Sequence, residues 1–158
     1  MKKKVKTNAL RILDQKHIEY KTKEYDYDEE HLGGEHVLKQ IDLNANQVYK
    51  TLVLKSKNDY LVCCIPVLKE IDLKKLAKAS NHKSVEMIPM KDLLSITGYI
   101  RGGCSPIGMK KQFKTYFQKE IYDESEIAVS AGKRGLQIIL NPKDLINLVN
   151  GEIVDVVR

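Results

Sequence analysis

Tryptophan is absent from this chain of 158 residues, and phenylalanine and proline occur only two and four times. Long apolar runs are also missing: none approaches the roughly 20 residues that a membrane-spanning helix needs, which argues against an integral membrane protein. Neither repeats nor Pro/Ser-rich linkers occur, so we predict one domain over residues 1–158. No apolar stretch follows the basic segment 1–6, so we expect no secretory signal and a cytoplasmic location.

Cysteine and histidine are scarce, with three and four residues. They show no CxxC or HxxxH spacing, so we expect no metal ion, and the sequence contains no cofactor-binding motif. Cys63 and Cys64 are adjacent in an apolar run. Neighbours on a strand point to opposite faces, which disfavours a disulfide between them. The odd count of cysteines is consistent with a reducing cytoplasm.

The charge of the chain is unbalanced towards the positive. Lysine and arginine total 27 and aspartate and glutamate 21, which gives a formal net charge of +6. One interpretation is an ordinary lysine-rich surface. The other is attraction to a polyanion such as RNA. Composition alone leaves both open.

Apolar patterning predicts an α/β (α+β) fold, with a mixed, barrel-like sheet flanked by helices. The first helix follows Thr7 and should turn Ala9, Leu10, Leu13 and His17 inward. Further helices are predicted at 35–43, after Asp72, at 90–96 and at 142–149. The predicted strands are 18–23, 47–55, 60–67, 84–88, 113–117, 127–130 and 136–140, the second and third forming a hairpin. Residues 152–157 are a last strand or an extended tail.

Lys50 stands within an apolar strand and shares a face with Val48, Leu52 and Leu54. Burying an unpaired ammonium costs several kcal/mol of folding free energy, about as much as breaking a buried ion pair by removing one partner. Lys50 should therefore lie at a sheet end, pair with an acid or open into a cleft. The alternative is an edge-strand lysine that discourages aggregation.

Residues 97–108 hold four of the nine glycines, together with Ser105 and Pro106. Backbone N–H groups in such a loop can bind an oxyanion or a phosphate, although a tight connection without a ligand is the alternative. Neither a Walker A motif nor GxGxxG is present. Cys104 in this loop suggests a thiol nucleophile, but the sequence pairs no histidine with it.

Two further segments are candidates for contact with nucleic acid. The turn 130–135 carries Lys133 and Arg134, which are suited to phosphates or to a plain solvated hairpin tip. Tyr25 and Tyr27 precede a Gly33-Gly34 loop. Their rings are suited to stacking on a base or to packing against the sheet.

The motifs Lys50-Thr51-Leu52-Val53, 97–108 and 130–136 occur in an order and spacing that resemble a known family. The chain resembles the YbaK/EbsC aminoacyl-tRNA deacylases, relatives of the editing domain inserted in bacterial prolyl-tRNA synthetases. Within that family it most resembles the Cys-tRNA(Pro)/Cys-tRNA(Cys) deacylase branch. The resemblance extends over about 7–154 and implies a mixed β-barrel flanked by helices.

The same resemblance implies functional residues. Its catalytic positions fall on Lys50 and Gly102. Its substrate-binding positions fall on Tyr25, Thr51, Gly103, Ser105, Ser130 and Gln137. Close relatives of this branch carry an aspartate where this chain has Gln137, so a charged group of the pocket is replaced by a neutral amide.

The implied activity is deacylation of mischarged tRNA in trans, with no metal and no cofactor. The partner is the 3′ acceptor end of aminoacyl-tRNA, and prolyl-tRNA synthetase is a further candidate. No Ser-His-Asp or Cys-His set is evident, which fits an attack by the thiol of the substrate cysteine. The alternatives are a non-catalytic tRNA-binding or synthetase-associated module, a deacylase for another small amino acid such as alanine, and a thiol hydrolase that uses Cys104.

Overall fold

The computed structural model describes residues 6–158, and the start of the basic segment, residues 1–5, lies outside the described residues. The strands are β1 (Tyr20–Glu24), β2 (Tyr49–Ser56), β3 (Asp59–Pro66), β4 (Glu86–Met87), β5 (Lys114–Gln118), β6 (Ile127–Ser130), β7 (Leu136–Leu140) and β8 (Glu152–Val154). The α-helices are α1 (Asn8–Gln15), α2 (Gly34–Leu38), α3 (Leu73–Ala79), α4 (Leu93–Thr97) and α5 (Pro142–Val149). Short 3-10 helices span Met90–Asp92 and Lys119–Asp123.

The strands form two sheets. The larger has the order β4-β2-β3-β5-β8, in which β2 pairs antiparallel with β3 and β4, and β5 pairs parallel with β3 and β8. The smaller has the order β1-β7-β6 and is antiparallel. The predicted mixed sheet and the β2–β3 hairpin are both confirmed.

The two sheets meet at the start of β2. Val48 and Ala128 form a parallel bridge, and the N–H of Ala128 donates to the carbonyl of Gln47 at 2.8 Å. Within residues 6–158 the edge strand β1 pairs with neither β4 nor β8, so the arrangement is barrel-like and not closed. A space remains between the sheets beside this bridge.

The strand faces divide the core. Tyr49, Val53 and Cys64 belong to the larger cluster, which α1 and α5 also enter. Leu54 and Cys63 belong to a second cluster that α3 covers. The adjacent cysteines therefore point to opposite faces, as predicted, and both are free thiols.

Helix starts follow local capping signals. The Thr7 hydroxyl accepts from the N–H of Leu10 at 3.3 Å, and the Asp72 carboxylate accepts from the N–H of Lys74 at 3.0 Å. Pro142 occupies the first turn of α5, where its missing N–H has no helical partner to lose. No helix within residues 6–158 has both the length and the apolar character needed to cross a membrane.

Three predicted boundaries are wrong. His17 was expected inward, but α1 ends at Gln15 and His17 takes a positive φ of 56° and is exposed. Ile18 packs against the core in its place, and its N–H donates to the carbonyl of Leu13. The helix predicted over 35–43 ends at Leu38, and the strand predicted over 84–88 is only Glu86–Met87.

Candidate functional site

A cleft of about 360 Å³ lies where the two sheets meet. Its walls come from β2, from the loop before α2, from the glycine loop 97–108 and from the β6–β7 hairpin. The cleft brings together six of the eight residues predicted for the site: Tyr25, Lys50, Thr51, Gly102, Ser130 and Gln137. Gly103 and Ser105 are not among its lining residues.

Lys50 brings a positive charge into the cleft from the start of β2, near the open end of the β2–β3 hairpin, where it pairs with Ile65. The side chain is half-buried, and this burial lowers the pKa of its ammonium from the ordinary value. Glu70 and Glu35 partly offset the effect through their charge. Across the described part of the chain, no carboxylate forms an ion pair with Lys50, so its hydrogen-bond donors remain available.

Tyr25 and Gly102 form one wall. The Tyr25 ring is buried, and its hydroxyl donates to the carbonyl of Gly102 at a long distance of 3.5 Å. Gly102 has φ +83°, a left-handed conformation that favours glycine. Its N–H has no hydrogen-bond partner in the structure from residue 6 onward.

Gly103 holds the glycine loop against the β6–β7 turn. A Cβ at this position would come within 2.9 Å of the Lys133 carbonyl carbon and 3.0 Å of the Arg134 nitrogen. The N–H of Gly103 already donates to the carbonyl of Ile100 at 2.9 Å, so it is engaged within the loop. The Arg134 guanidinium adds a second link by donating to the carbonyl of Arg101 at 2.8 Å.

Ser105 lies beneath the loop rather than in the cleft. Its side chain is fully buried, and its hydroxyl oxygen accepts from the N–H of Ile107 at 3.2 Å. This contact closes a serine turn. The position supports the shape of the loop and offers no exposed hydroxyl to a ligand.

Ser130 and Gln137 face each other across the β6–β7 hairpin as register partners. The Ser130 hydroxyl accepts from the N–H of Gly132 at 3.2 Å. Gln137 is buried, and within residues 6–158 its side-chain oxygen has no hydrogen-bond partner. A buried unpartnered acceptor is rare and unfavourable unless a ligand or water satisfies it.

Cys104 also lines the cleft, but it is poorly suited to act as a nucleophile. Burial raises the pKa of its thiol to about 12, although a hydrogen bond with Thr97 partly opposes this shift. A thiol nucleophile needs a lowered pKa or a neighbouring base. The geometry therefore leaves Cys104 as part of the apolar wall.

Metal binding has no support in the side chains. Within residues 6–158, no group of three or more histidine, cysteine, aspartate or glutamate side chains is arranged to hold a metal ion. The polar groups of the cleft are instead a lysine, hydroxyls and an amide.

Sequence analysis missed three parts of the cleft. Arg101 lines the cleft as a second cation, and Gly33 and Gly34 also line it. Gly34 packs so closely on Val67 that a Cβ would lie 2.5 Å from its Cγ1 atom. The Gly33-Gly34 pair in the sequence was a signal of this close packing, but a flexible loop without any such contact would also explain two adjacent glycines.

Comparisons with known proteins identify the family of this chain. The model of the aminoacyl-tRNA editing domain family matches residues 32–148. An Enterococcus faecalis protein named "Putative Cys-tRNA(Pro)/Cys-tRNA(Cys) deacylase EbsC" is 49% identical over 152 residues, which cover 96% of this chain and 93% of the relative. The chain belongs to the aminoacyl-tRNA editing domain family.

Solved structures show the same fold at low sequence identity. The crystal structure of a hypothetical protein gives a TM-score of 0.87 at 12% identity, covering 96% of this chain and all of the other. That of "a putative trans-editing enzyme for prolyl tRNA synthetase" gives 0.83 at 17% identity, covering 98% and 99%. The mixed α/β architecture predicted from the resemblance is confirmed.

The close packing of Gly103 leads to a test of the loop contact. Gly103→Ala should destabilise the protein by about 1–3 kcal/mol, as overpacking does, because its Cβ would meet backbone that has no rotamer to change. Urea unfolding measures this difference.

Gly33→Ala is the matched control. A Cβ there has nothing within 4 Å, and the loss of a glycine N-cap opposes the gain from a less flexible unfolded chain, so the net effect should stay within about 0.5 kcal/mol. Equal stability of both variants would show that the contact between Gly103 and the turn does not hold the loop.

Proposed function

We propose that this protein is a trans-editing aminoacyl-tRNA deacylase that removes cysteine from Cys-tRNA(Pro) and Cys-tRNA(Cys). One observation carries the proposal: an unpaired lysine ammonium and an unsatisfied amide oxygen converge with a glycine loop in one small cleft. The membership of the family and the name of the 49% identical relative support the same substrate class.

The polar groups suit an aminoacyl ester on the terminal ribose of tRNA. The Lys50 ammonium would hold a phosphate or ribose oxygen and so fix the position of the ester. Thr51, Ser130 and the unpartnered oxygen of Gln137 would bind the ribose and aminoacyl groups. Correct positioning of reacting groups contributes up to about 7–11 kcal/mol in well-oriented reactions.

Gly102 would stabilise the charge that develops during reaction. An ester carbonyl under attack gains an oxyanion, which preorganised N–H donors stabilise. The N–H of Gly102 is unbonded in the described structure, whereas that of Gly103 is engaged with Ile100. We therefore assign the donor role to Gly102 and a packing role to Gly103.

The nucleophile would be the thiol of the substrate cysteine. The raised pKa values of Cys104 and Tyr49 keep these cleft groups protonated, so neither is an activated nucleophile or base. The substrate sulfur would attack the ester carbon and form a cyclic thioester, while the C–O bond to the ribose breaks. The thiol proton passes to the departing 3′ oxygen, which leaves free tRNA, and water then opens the thioester.

We also propose that residues 1–158 form one editing domain acting in the cytoplasm. Residues as distant as Ala9 and Val149 share one core cluster, which supports a single domain. Association with prolyl-tRNA synthetase would place the deacylase where tRNA(Pro) is charged, and co-purification of the two proteins would test it.

Replacing Lys50 should separate activity from stability. Lys50→Met keeps the apolar stem but removes the positive charge. Deacylation of Cys-tRNA(Pro) should therefore fall at least about 100-fold, the scale expected when a positioning contact is lost. The melting temperature should rise rather than fall, because burial disfavours the Lys50 charge. Lys55→Met, on the same strand but paired with Glu86 outside the cleft, should retain activity.

The difference in stability between Lys50→Met and the wild type should depend on pH. The pKa of Lys50 is lower in the folded than in the unfolded chain, so the unfolded chain binds more protons between the two values. The advantage of Lys50→Met should be complete at neutral pH and shrink as pH rises through the lowered pKa.

Full activity of Lys50→Met would refute the assigned role, and tRNA binding without ester loss in the wild type would favour a binding module.

Substrate chemistry provides an independent test. Ser-tRNA differs from Cys-tRNA by a hydroxyl in place of the thiol and should be deacylated at least about 100-fold more slowly, because a hydroxyl is far less ionised than a thiol at neutral pH. Initial rates on matched tRNA measure the ratio. Equal rates for the two esters would point to an activated water instead.

Cys104→Ala should retain deacylation within about twofold, since its buried thiol stays protonated. Single-turnover rates on Cys-tRNA(Pro) measure the effect. Complete loss of activity in a variant of unchanged melting temperature would restore the thiol-hydrolase hypothesis.

A further inference from the structure

Two tyrosines that are close in sequence have opposite environments. Tyr25 is 8% exposed and lines the cleft, whereas Tyr27 is 48% exposed. The Tyr27 ring packs against Gly135: a Cβ there would lie 3.0 Å from the Cε1 atom of the ring. One part of the ring is therefore supported by the β6–β7 turn, and the rest is open to solvent.

Tyr27 belongs to a second depression, which we call the side groove, of about 380 Å³. Its lining residues include Tyr25, Tyr27, Lys133, Arg134 and Gly135. Tyr25 also lines the cleft, so the same residue borders both spaces. The cleft and the side groove therefore adjoin at Tyr25.

The charges of the side groove are mixed. Lys133 is exposed, and the Arg134 guanidinium lies 3.9 Å from the Glu29 carboxylate. Glu24 and Asp26 line the opposite side. A single phosphate near Lys133 is compatible with this arrangement, whereas a run of phosphates across the groove is not.

Gln40 makes its own hydrogen bonds at the rim. Its amide accepts from the N–H of Asp26 at 2.7 Å and donates to the carbonyl of the same residue at 2.7 Å. With the Gln40 amide engaged, the exposed Tyr27 ring is the aromatic surface that this largely polar groove offers to a ligand. Such a ring favours stacking on a nucleobase, which is sequence-tolerant because every base has a π-face.

We propose that the side groove binds the penultimate nucleotide of the tRNA acceptor end, with its base stacked on Tyr27 and its phosphate near Lys133. This inference rests on the proposed function, which places the terminal aminoacylated ribose in the cleft. The chain of the RNA must leave the cleft at its border, and Tyr25 joins that border to the groove.

The experiment compares two esters. One is full-length Cys-tRNA(Pro), and the other is cysteinyl adenosine, which lacks the penultimate nucleotide. Tyr27→Ala should lower kcat/KM on the tRNA by about 5- to 100-fold, the range for loss of one stacked base. Its effect on cysteinyl adenosine should stay within about twofold, and Tyr27→Phe should behave as the wild type on both.

Tyr122→Ala is the matched control, because Tyr122 is similarly exposed at 52% but lies outside both the cleft and the side groove. It should leave both rates unchanged. Equal losses by Tyr27→Ala on both esters, or no loss on either, would overturn the proposal.

A binding measurement tests the nucleotide site without catalysis. It compares the affinity for the dinucleotide CpA with the affinity for adenosine. Wild type should bind CpA more tightly than Tyr27→Ala does, while adenosine binds both proteins equally. Failure of the wild type to cleave either ester would remove the proposed function, and the CpA measurement would still support or refute the subsite.

Discussion

The approach of Gly103 to the backbone of Lys133 and Arg134 fixes the position of the cleft wall. A Cβ at Gly103 would lie 2.9 Å from the Lys133 carbonyl carbon, so the contact leaves no space for a side chain there. It joins two loops that are distant in sequence, and the bond from Arg134 to the carbonyl of Arg101 reinforces it. Because the loop is held from behind, Gly102 can keep its left-handed conformation and its free N–H at the cleft. The glycines thus allow close backbone packing on one side and access to a ligand on the other.

Lys50 introduces the opposing constraint. Its position in the β2–β3 hairpin half-buries an ammonium, which lowers its pKa and disfavours its charge. Glu70 and Glu35 act on it through their charge and form no ion pair with it, so its donors remain free for an anion or a ribose oxygen. A carboxylate in contact with Lys50 would offset part of the penalty but would also occupy the binding group. The role proposed for Lys50 therefore depends on a charge that the fold leaves incompletely compensated.

Local signals made most elements predictable. Thr7, Asp72 and Pro142 mark helix starts because each satisfies or lacks the N–H groups of a first turn. His17 was misplaced because apolar periodicity does not show where a helix ends. The cleft depends on the bridge between Val48 and Ala128, a non-local contact that no sequence pattern specifies.

The motifs predicted which residues lie at or near the site, but they did not predict what each residue contacts. The resemblance placed Gly103 and Ser105 in the site, yet their polar groups are engaged within the loop itself. A cleft of about 360 Å³ suits a small group and not a tRNA, so the rest of the acceptor end must bind outside it. The proposed function and the proposed nucleotide site therefore assign selection of the amino acid and affinity for the RNA to different surfaces. Since residue Tyr25 borders both, its displacement would affect the two together, whereas changes confined to either surface would affect one alone.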